Sequence, residues 1–467
     1  MQDAKRLGAE RIGKLLWELA IPAMVGMFVN SLYNIVDRLY IGQGCGREAL
    51  AGLTLTLPYM MILASFGTLI GVGSSALLSI RLGENRLEEA EKLLGQCVAV
   101  KILFFIFVPI IAFFTLDWTL LKFGGNADSI PYAREYLEII LIGNIWAHLS
   151  FGLSGLMRAE GHSKKAMYCM IIGAVANIAL DPIFIFVFDM GIRGAAHATN
   201  IAMFLSTCYA IHHFTSRNCV VPLKRKYIRV FPRIIPAVFA IGLSPFLMQL
   251  VASAVQVFFN KGFMKYSATE AENTLAVACS GIVNGVLIFI IQPAFGLSQG
   301  MQPIVGYNHG AGQYKRVAKA WRLGILYGTA ICTFGTALCM TFAPFLARCF
   351  TPDPAAIKMS SWALRVCCAG FPFIGVGIMS TTYFQSVGRA KIAIFMSLLR
   401  QVLLLLPMIW LLPKYFGLNG IWFAGPVSDT LSFVMMLTVA LFEFRHLRRL
   451  ADKQKADATA AAVVAAS

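Results

Sequence analysis

Charge is what this chain has least of. Only 13% of its 467 residues are Asp, Glu, Lys or Arg, against about 25% in an average soluble domain. Acids are the scarcer sign: 23 Asp and Glu stand against 40 Lys and Arg, for a formal net charge of +17. A basic balance invites a nucleic-acid reading. Here the basic residues are spread over short loops between apolar stretches, with no binding signature beside them, so nucleic acid is set aside as a partner. No Gly-rich, phosphate-cradling loop precedes a lysine, which removes ATP as an energy source within the chain. A nucleophile elbow and a paired His/Glu metal motif are also missing. The seven histidines fall singly except His212–His213, and adjacent rings do not share a helix face. The sequence therefore reads as a non-enzyme without a cofactor. No cleavable signal peptide is apparent, because the basic start runs into an apolar stretch too long for one. The eleven cysteines fall mostly in apolar stretches and read as small packing residues.

What replaces charge is long apolar sequence. Hydrophobic residues make up 58% of the chain and mean hydropathy is +0.70. Runs of about 20 residues with few charges recur, enough to cross a hydrocarbon core of about 30 Å as helices. The expected spans are 15–40, 50–80, 93–115, 132–157, 166–188 and 194–214, then 237–262, 272–303, 317–346, 356–385, 390–412 and 419–444. The expected fold class is an all-α membrane protein of about twelve transmembrane helices.

The two sets of six repeat one another. Gly73 and Gly83 recur as Gly300 and Gly310, and Gly161 with Lys164 recurs as Gly388 with Lys391, always 227 residues on. Pro22 has its counterpart in Pro245, so a short insertion separates the first and second landmarks. An internal duplication follows. Six is even, so both repeats enter the membrane from the same side and are parallel. The domains are then residues 1–214 and 237–446, joined by a basic linker at 215–236 and followed by a tail at 447–467. Lys and Arg crowd one set of loops, including the start, the 81–92 loop, the linker from Arg217 to Arg233 and the tail after Arg445. The positive-inside rule puts that side, with both termini, in the cytoplasm.

The repeats differ in their acids. Asp37 and Asp181 lie inside apolar segments of the first half, while their second-half equivalents are Asn260 and Met408. Asn30, Tyr33, Asn34 and Asp37 follow i, i+3, i+4, i+7 spacing and share a helix face. Asn177 and Asp181 are an i, i+4 pair followed at once by Pro182. An Asp at that depth costs about 2.5–3.5 kcal/mol on insertion scales, so these groups should face a protein interior or a water cavity. They serve either a structural hydrogen-bond network or a cation site. Carboxylate and amide oxygens are hard ligands for an ion such as Na⁺, and a desolvated carboxyl can instead take H⁺. The residue types do not choose between the two. Gln249, Gln256 and Asn260 form a second stripe, suited equally to substrate or to helix packing. Arg400, inside the eleventh span, either pairs with an acid, sets a gate, or snorkels to the nearby loop.

Taken in order, these features resemble the multidrug and toxic compound extrusion family, and especially its MepA-like bacterial branch. The resemblance runs from about residue 10 to about residue 445. It rests on Pro22 to Asp37, Asn177-Ile-Ala-Leu-Asp181-Pro182, Gly191-Ile-Arg-Gly194-Ala-Ala-His-Ala-Thr199, and Gln302-Pro303 through Gly306-Tyr307-Asn308 to Gly310-Ala311-Gly312. It implies two six-helix lobes around a V-shaped central cleft that opens alternately to either face. It implies antiport of H⁺ or Na⁺ against bulky lipophilic cations, in a monomer among the lipids of the bacterial cytoplasmic membrane. Asp37, Asn177, Asp181 and Thr199 match the family's amino-terminal cation site, with Na⁺ a candidate ion at the first three. Asn30, Tyr33, Asn34, Gln249, Gln256 and Asn260 are candidate substrate contacts. The family's second pattern, acids in the seventh and tenth spans, is absent here. The alternative reading is a flippase of a lipid-linked oligosaccharide, for which Lys101, Arg365 and Arg400 are the only internal basic candidates against a pyrophosphate.

Overall fold

In an apolar medium every backbone amide needs a partner within the chain, and an α-helix supplies one locally. The computed structural model, which describes residues 2–122, 130–216 and 219–466, is accordingly helical almost throughout. A short helix α1 (Gln2–Ala9) leads into α2 (Ile12–Gly44), α3 (Gly46–Gly83), α4 (Leu87–Lys122), α5 (Ile130–Ala159), α6 (Ser163–Pro182) and α7 (Gly191–Thr215). The second set comprises α8 (Ile235–Tyr266), α9 (Glu270–Gly310), α10 (Tyr314–Arg348), α11 (Pro354–Cys368), α12 (Phe371–Ser386), α13 (Ala390–Leu398), α14 (Leu406–Phe416) and α15 (Leu418–Ala466). Among the described residues, ten helices are long and apolar enough to cross a membrane. The pair α11–α12, bent by 51°, makes an eleventh. Helix α7, with 25 residues, completes the six of the first half.

The expected spans match these helices in number and order, and most helices run several residues further at each end. The tenth span differs: it breaks between α11 and α12, where Pro372 enters the first turn of α12. The eleventh is α13 and α14 joined by a π-helical stretch, Leu399–Leu405. Helix α15 continues into the tail as far as Ala466. Arg217 and Asn218 of the basic linker lie outside the described residues. Its later part packs on α4: the Tyr227 hydroxyl donates to Glu88 Oε1 at 3.2 Å, and the Phe231 amide to Gln96 Oε1 at 3.3 Å.

Two six-helix bundles pack across a pseudo-twofold relation. Helix α2 lies along α9, and its repeat mate α8 lies along α3, the repeat mate of α9. The relation holds to the level of single atoms. A Cβ on Gly83 would lie 2.0 Å from the Tyr307 carbonyl oxygen, and one on Gly310 would lie 2.1 Å from that of Ile80. Ile80 and Tyr307 are themselves 227 apart, so each glycine admits the backbone of the other's helix. At Gly161 and Gly388 both chains turn with positive φ, +92° and +74°, after the fourth and tenth spans. The two bundles therefore touch backbone to backbone at Gly83 and Gly310.

Gly83→Ala or Gly310→Ala should force that contact open by about 1 Å, since a Cβ cannot sit closer than about 3.0 Å to a carbonyl oxygen. Oxidative cross-linking between Ile80→Cys and Tyr307→Cys measures it. The yield should fall in either glycine variant; an undiminished yield would show that the helices yield locally instead.

Candidate functional site

Four helices of the first half contribute to one buried polar network. Helix α6 is interrupted where the network forms: Pro182 has no amide to give the Ile178 carbonyl, and a π-helical turn, Ile183–Val187, follows directly. Asn177 and Asp181 face inward from the last turn of α6 and are both wholly buried. Asn177 Nδ2 donates to Asp181 Oδ1 and to Thr199 Oγ1 of α7, each at 3.2 Å. Tyr136 of α5 lies beside Thr199 and both acids. Across the interface, the Asp37 carboxyl of α2 meets that of Asp181. Two carboxylates in contact repel each other unless a proton is shared or a cation lies against both. Three buried oxygens of the cluster, Asp37 Oδ1, Asn177 Oδ1 and Asp181 Oδ2, have no hydrogen-bond partner. Oxygens that give up water without replacement cost free energy, and a cation offsets that cost.

The other candidates are dispersed around this network. Tyr33 lies beside both acids. Asn30 is half-buried on the same helix. Asn34 is exposed on the same helix, and its amide donates to the Asn30 carbonyl one turn back at 2.6 Å. In the second half, Gln249 accepts from Thr68 of α3 at 3.4 Å, across the bundle interface. Gln256 and Asn260 are exposed and bonded to each other at 3.3 Å, and Asn284 of α9 donates to Gln256 at 3.4 Å. Sequence reasoning missed Tyr136 and Asn284. A lone tyrosine or asparagine in an apolar helix has no periodic partner to mark it.

Arg400 sits in the π-helical stretch and pairs with Asp429 of α15. The Asp429 side chain is only 3% exposed, the Arg400 side chain 32%. Asp429 was also visible in the sequence, as an acid within the twelfth apolar run. The second half thus holds an acid of its own, already neutralised by the protein.

Buried acids facing one another inside a membrane-spanning pair of repeated bundles define an integral membrane transport protein. The MatE family model matches residues 22–183 and 264–411, most of the chain. The chain belongs to the MatE family. The multidrug export protein MepA of Staphylococcus aureus strain MRSA252 is 26% identical over 435 residues, covering 92% of this chain and 94% of that protein. Among solved structures, the MATE multidrug transporter DinF-BH in complex with R6G is 36% identical, with a TM-score of 0.87 over 96% of this chain and 99% of that one. An outward-facing MATE transporter of the MOP superfamily shares the fold at a TM-score of 0.89, with 23% identity over 95% of this chain and 98% of that one.

Removing one partner of a buried ion pair strands the other. Arg400→Met should therefore destabilise the protein by about 3 kcal/mol, the lower end of the usual range because Arg400 is partly exposed. The double variant Arg400→Met/Asp429→Leu should recover most of that loss. Thermal unfolding in detergent tests this, and equal losses in both variants would rule the pair out as the cause.

Proposed function

We propose that the protein extrudes lipophilic, mostly cationic compounds from a bacterial cell in exchange for H⁺ or Na⁺, through alternating access of its central cleft. The observation that carries this reading is the Asp37–Asp181–Asn177 contact with its three unpartnered oxygens. One cation relieves the repulsion: Na⁺ can coordinate all three oxygens, while H⁺ bonds to one carboxyl oxygen and is donated to the other acid. Its departure restores the repulsion, so the loaded and empty sites favour different packings of α2 against α6. Thr199 holds Asn177 in place and adds a hydroxyl oxygen near the ion. Asn30, Tyr33, Gln249, Gln256 and Asn260 offer polar contacts for cargo. The first six spans act as the cation-bearing lobe, the Gly83–Gly310 contact closes one face, and the basic loops place both termini in the cytoplasm.

The flippase reading requires free basic groups in the cleft. Lys101 is wholly buried, and its ammonium donates to the Gly67 and His148 carbonyls at 3.2 and 2.7 Å. Arg365 donates to the Met340 carbonyl at 3.3 Å. Arg400 is held by Asp429. With Lys101 enclosed and Arg400 paired, Arg365 is the one of the three that keeps an exposed guanidinium, which is few basic groups for a pyrophosphate and supports the cation reading.

Asp37→Asn and Asp181→Asn keep the side-chain shape but fix its charge at zero. Each should reduce gradient-driven efflux of a fluorescent cation from vesicles by about tenfold or more while leaving the protein folded. Wild-type efflux in both would make the cluster structural. Driving the same vesicles with a pH gradient or a Na⁺ gradient identifies the coupling ion.

Drug and ion should also compete. Raising the coupling ion to about ten times its dissociation constant should weaken ethidium binding by about tenfold at constant ionic strength. An ethidium affinity independent of both ions would separate cargo from the acids.

A further inference from the structure

At the loop ends of α5 and α7, away from the cleft, three side chains converge that the transport cycle does not use. The turn after α5 presents Glu160 and His162 on either side of Gly161, whose φ of +92° makes the reversal. His213 comes from the last turn of α7. Glu160 is wholly buried, and its Oε1 accepts the Val221 amide at 2.9 Å, fixing the linker beneath it. Its Oε2 lies 3.3 Å from His213 Nε2 and 3.4 Å from His162 Nδ1. All three potential ligand atoms fall within 4.8 Å of one another.

We propose that Glu160, His162 and His213 bind a first-row divalent cation of the Zn²⁺ class. Zinc with ligands at about 2.0 Å has tetrahedral edges of about 3.3 Å, the spacing already present between the carboxylate oxygen and each imidazole nitrogen. One carboxylate and two imidazoles are a donor set suited to zinc, with water free to take the fourth position. Both carboxylate oxygens of Glu160 are also held by the linker backbone, Oε1 by the Val221 amide and Oε2 by the Val220 amide at 3.4 Å. A bound ion would clip the ends of α5 and α7 to the linker that joins the two halves.

One neighbour opposes the ion. The Lys165 ammonium lies 3.2 Å from His213 Nδ1. Without metal it donates to that nitrogen, and Nε2–H then donates to Glu160. Metal on Nε2 moves the proton to Nδ1, which turns a hydrogen bond into a donor–donor clash, so Lys165 must swing away. Its long stem and partial exposure permit this.

The test is titration of tag-free, full-length protein in detergent with Zn²⁺ against a chromogenic chelator, alongside thermal unfolding with and without Zn²⁺. We expect one ion per chain and a rise in the unfolding temperature. Affinity should fall at least tenfold in His162→Ala and His213→Gln, and rise several-fold in Lys165→Gln. His162 is near the surface, so its variant remains informative if His213→Gln does not fold. Absence of saturable binding, binding unaffected by His162→Ala, or weaker binding in Lys165→Gln would overturn the proposal.

Discussion

The constraint from which the rest follows is the lack of water around most of this backbone. A chain that is 58% hydrophobic cannot leave amides or carbonyls facing lipid, so it forms helices and packs them against one another. Close packing of long helices then requires places where two backbones can touch. Gly83 and Gly310 provide one such place at equivalent points of the two repeats. Polar side chains come under the same pressure. Each must find a partner inside the bundles, and where a partner is missing, as at Asp37 Oδ1 and Asp181 Oδ2, something small and positive is favoured there.

The repeats share their scaffold and differ in how they treat acids. In the first half, two carboxyls meet with an asparagine between α6 and α7 and, among the described residues, no basic side chain bonded to them. In the second, Asp429 is matched with Arg400. A guanidinium tethered to the chain cannot leave, so that half carries a permanent neutralisation, whereas the proposed function gives the first half an exchangeable one. On the proposed reading this makes the cycle asymmetric. Ion binding and release change the packing of one bundle, and the other acts as the fixed body it moves against.

Much of this was legible in the sequence because it depends on composition and short-range order. Span number follows from hydropathy, and parallel repeats follow from six spans per copy. Asp37 and Asp181 stood out because acids are rare in apolar runs, and Asn177 because it lies one turn from Asp181. What sequence could not supply was contact between distant segments. Tyr136 joins the network only because α5 packs beside α7. Glu160 and His213 lie 53 positions apart and meet only once the end of α7 returns to the turn after α5. The α11–α12 bend was likewise hidden, because its Ala-Gly-Phe-Pro sequence sits within an otherwise continuous apolar run.

The buried cations bear on the choice of cargo more than the acids alone do. An acid pair in a cleft suits a positive cargo only if nearby lysines and arginines do not cancel it. Lys101 is enclosed by α3, α4 and α5 and bonded to two carbonyls, a neutral solution that uses its hydrogen-bonding capacity without consuming an acid. Arg365 likewise takes a carbonyl, and Arg400 takes an acid from its own half. None of the three draws on Asp37 or Asp181. On the proposed reading the carboxyls of the first half are then left to an ion or a cationic drug, and because they form one contact, loading by either changes what the other meets.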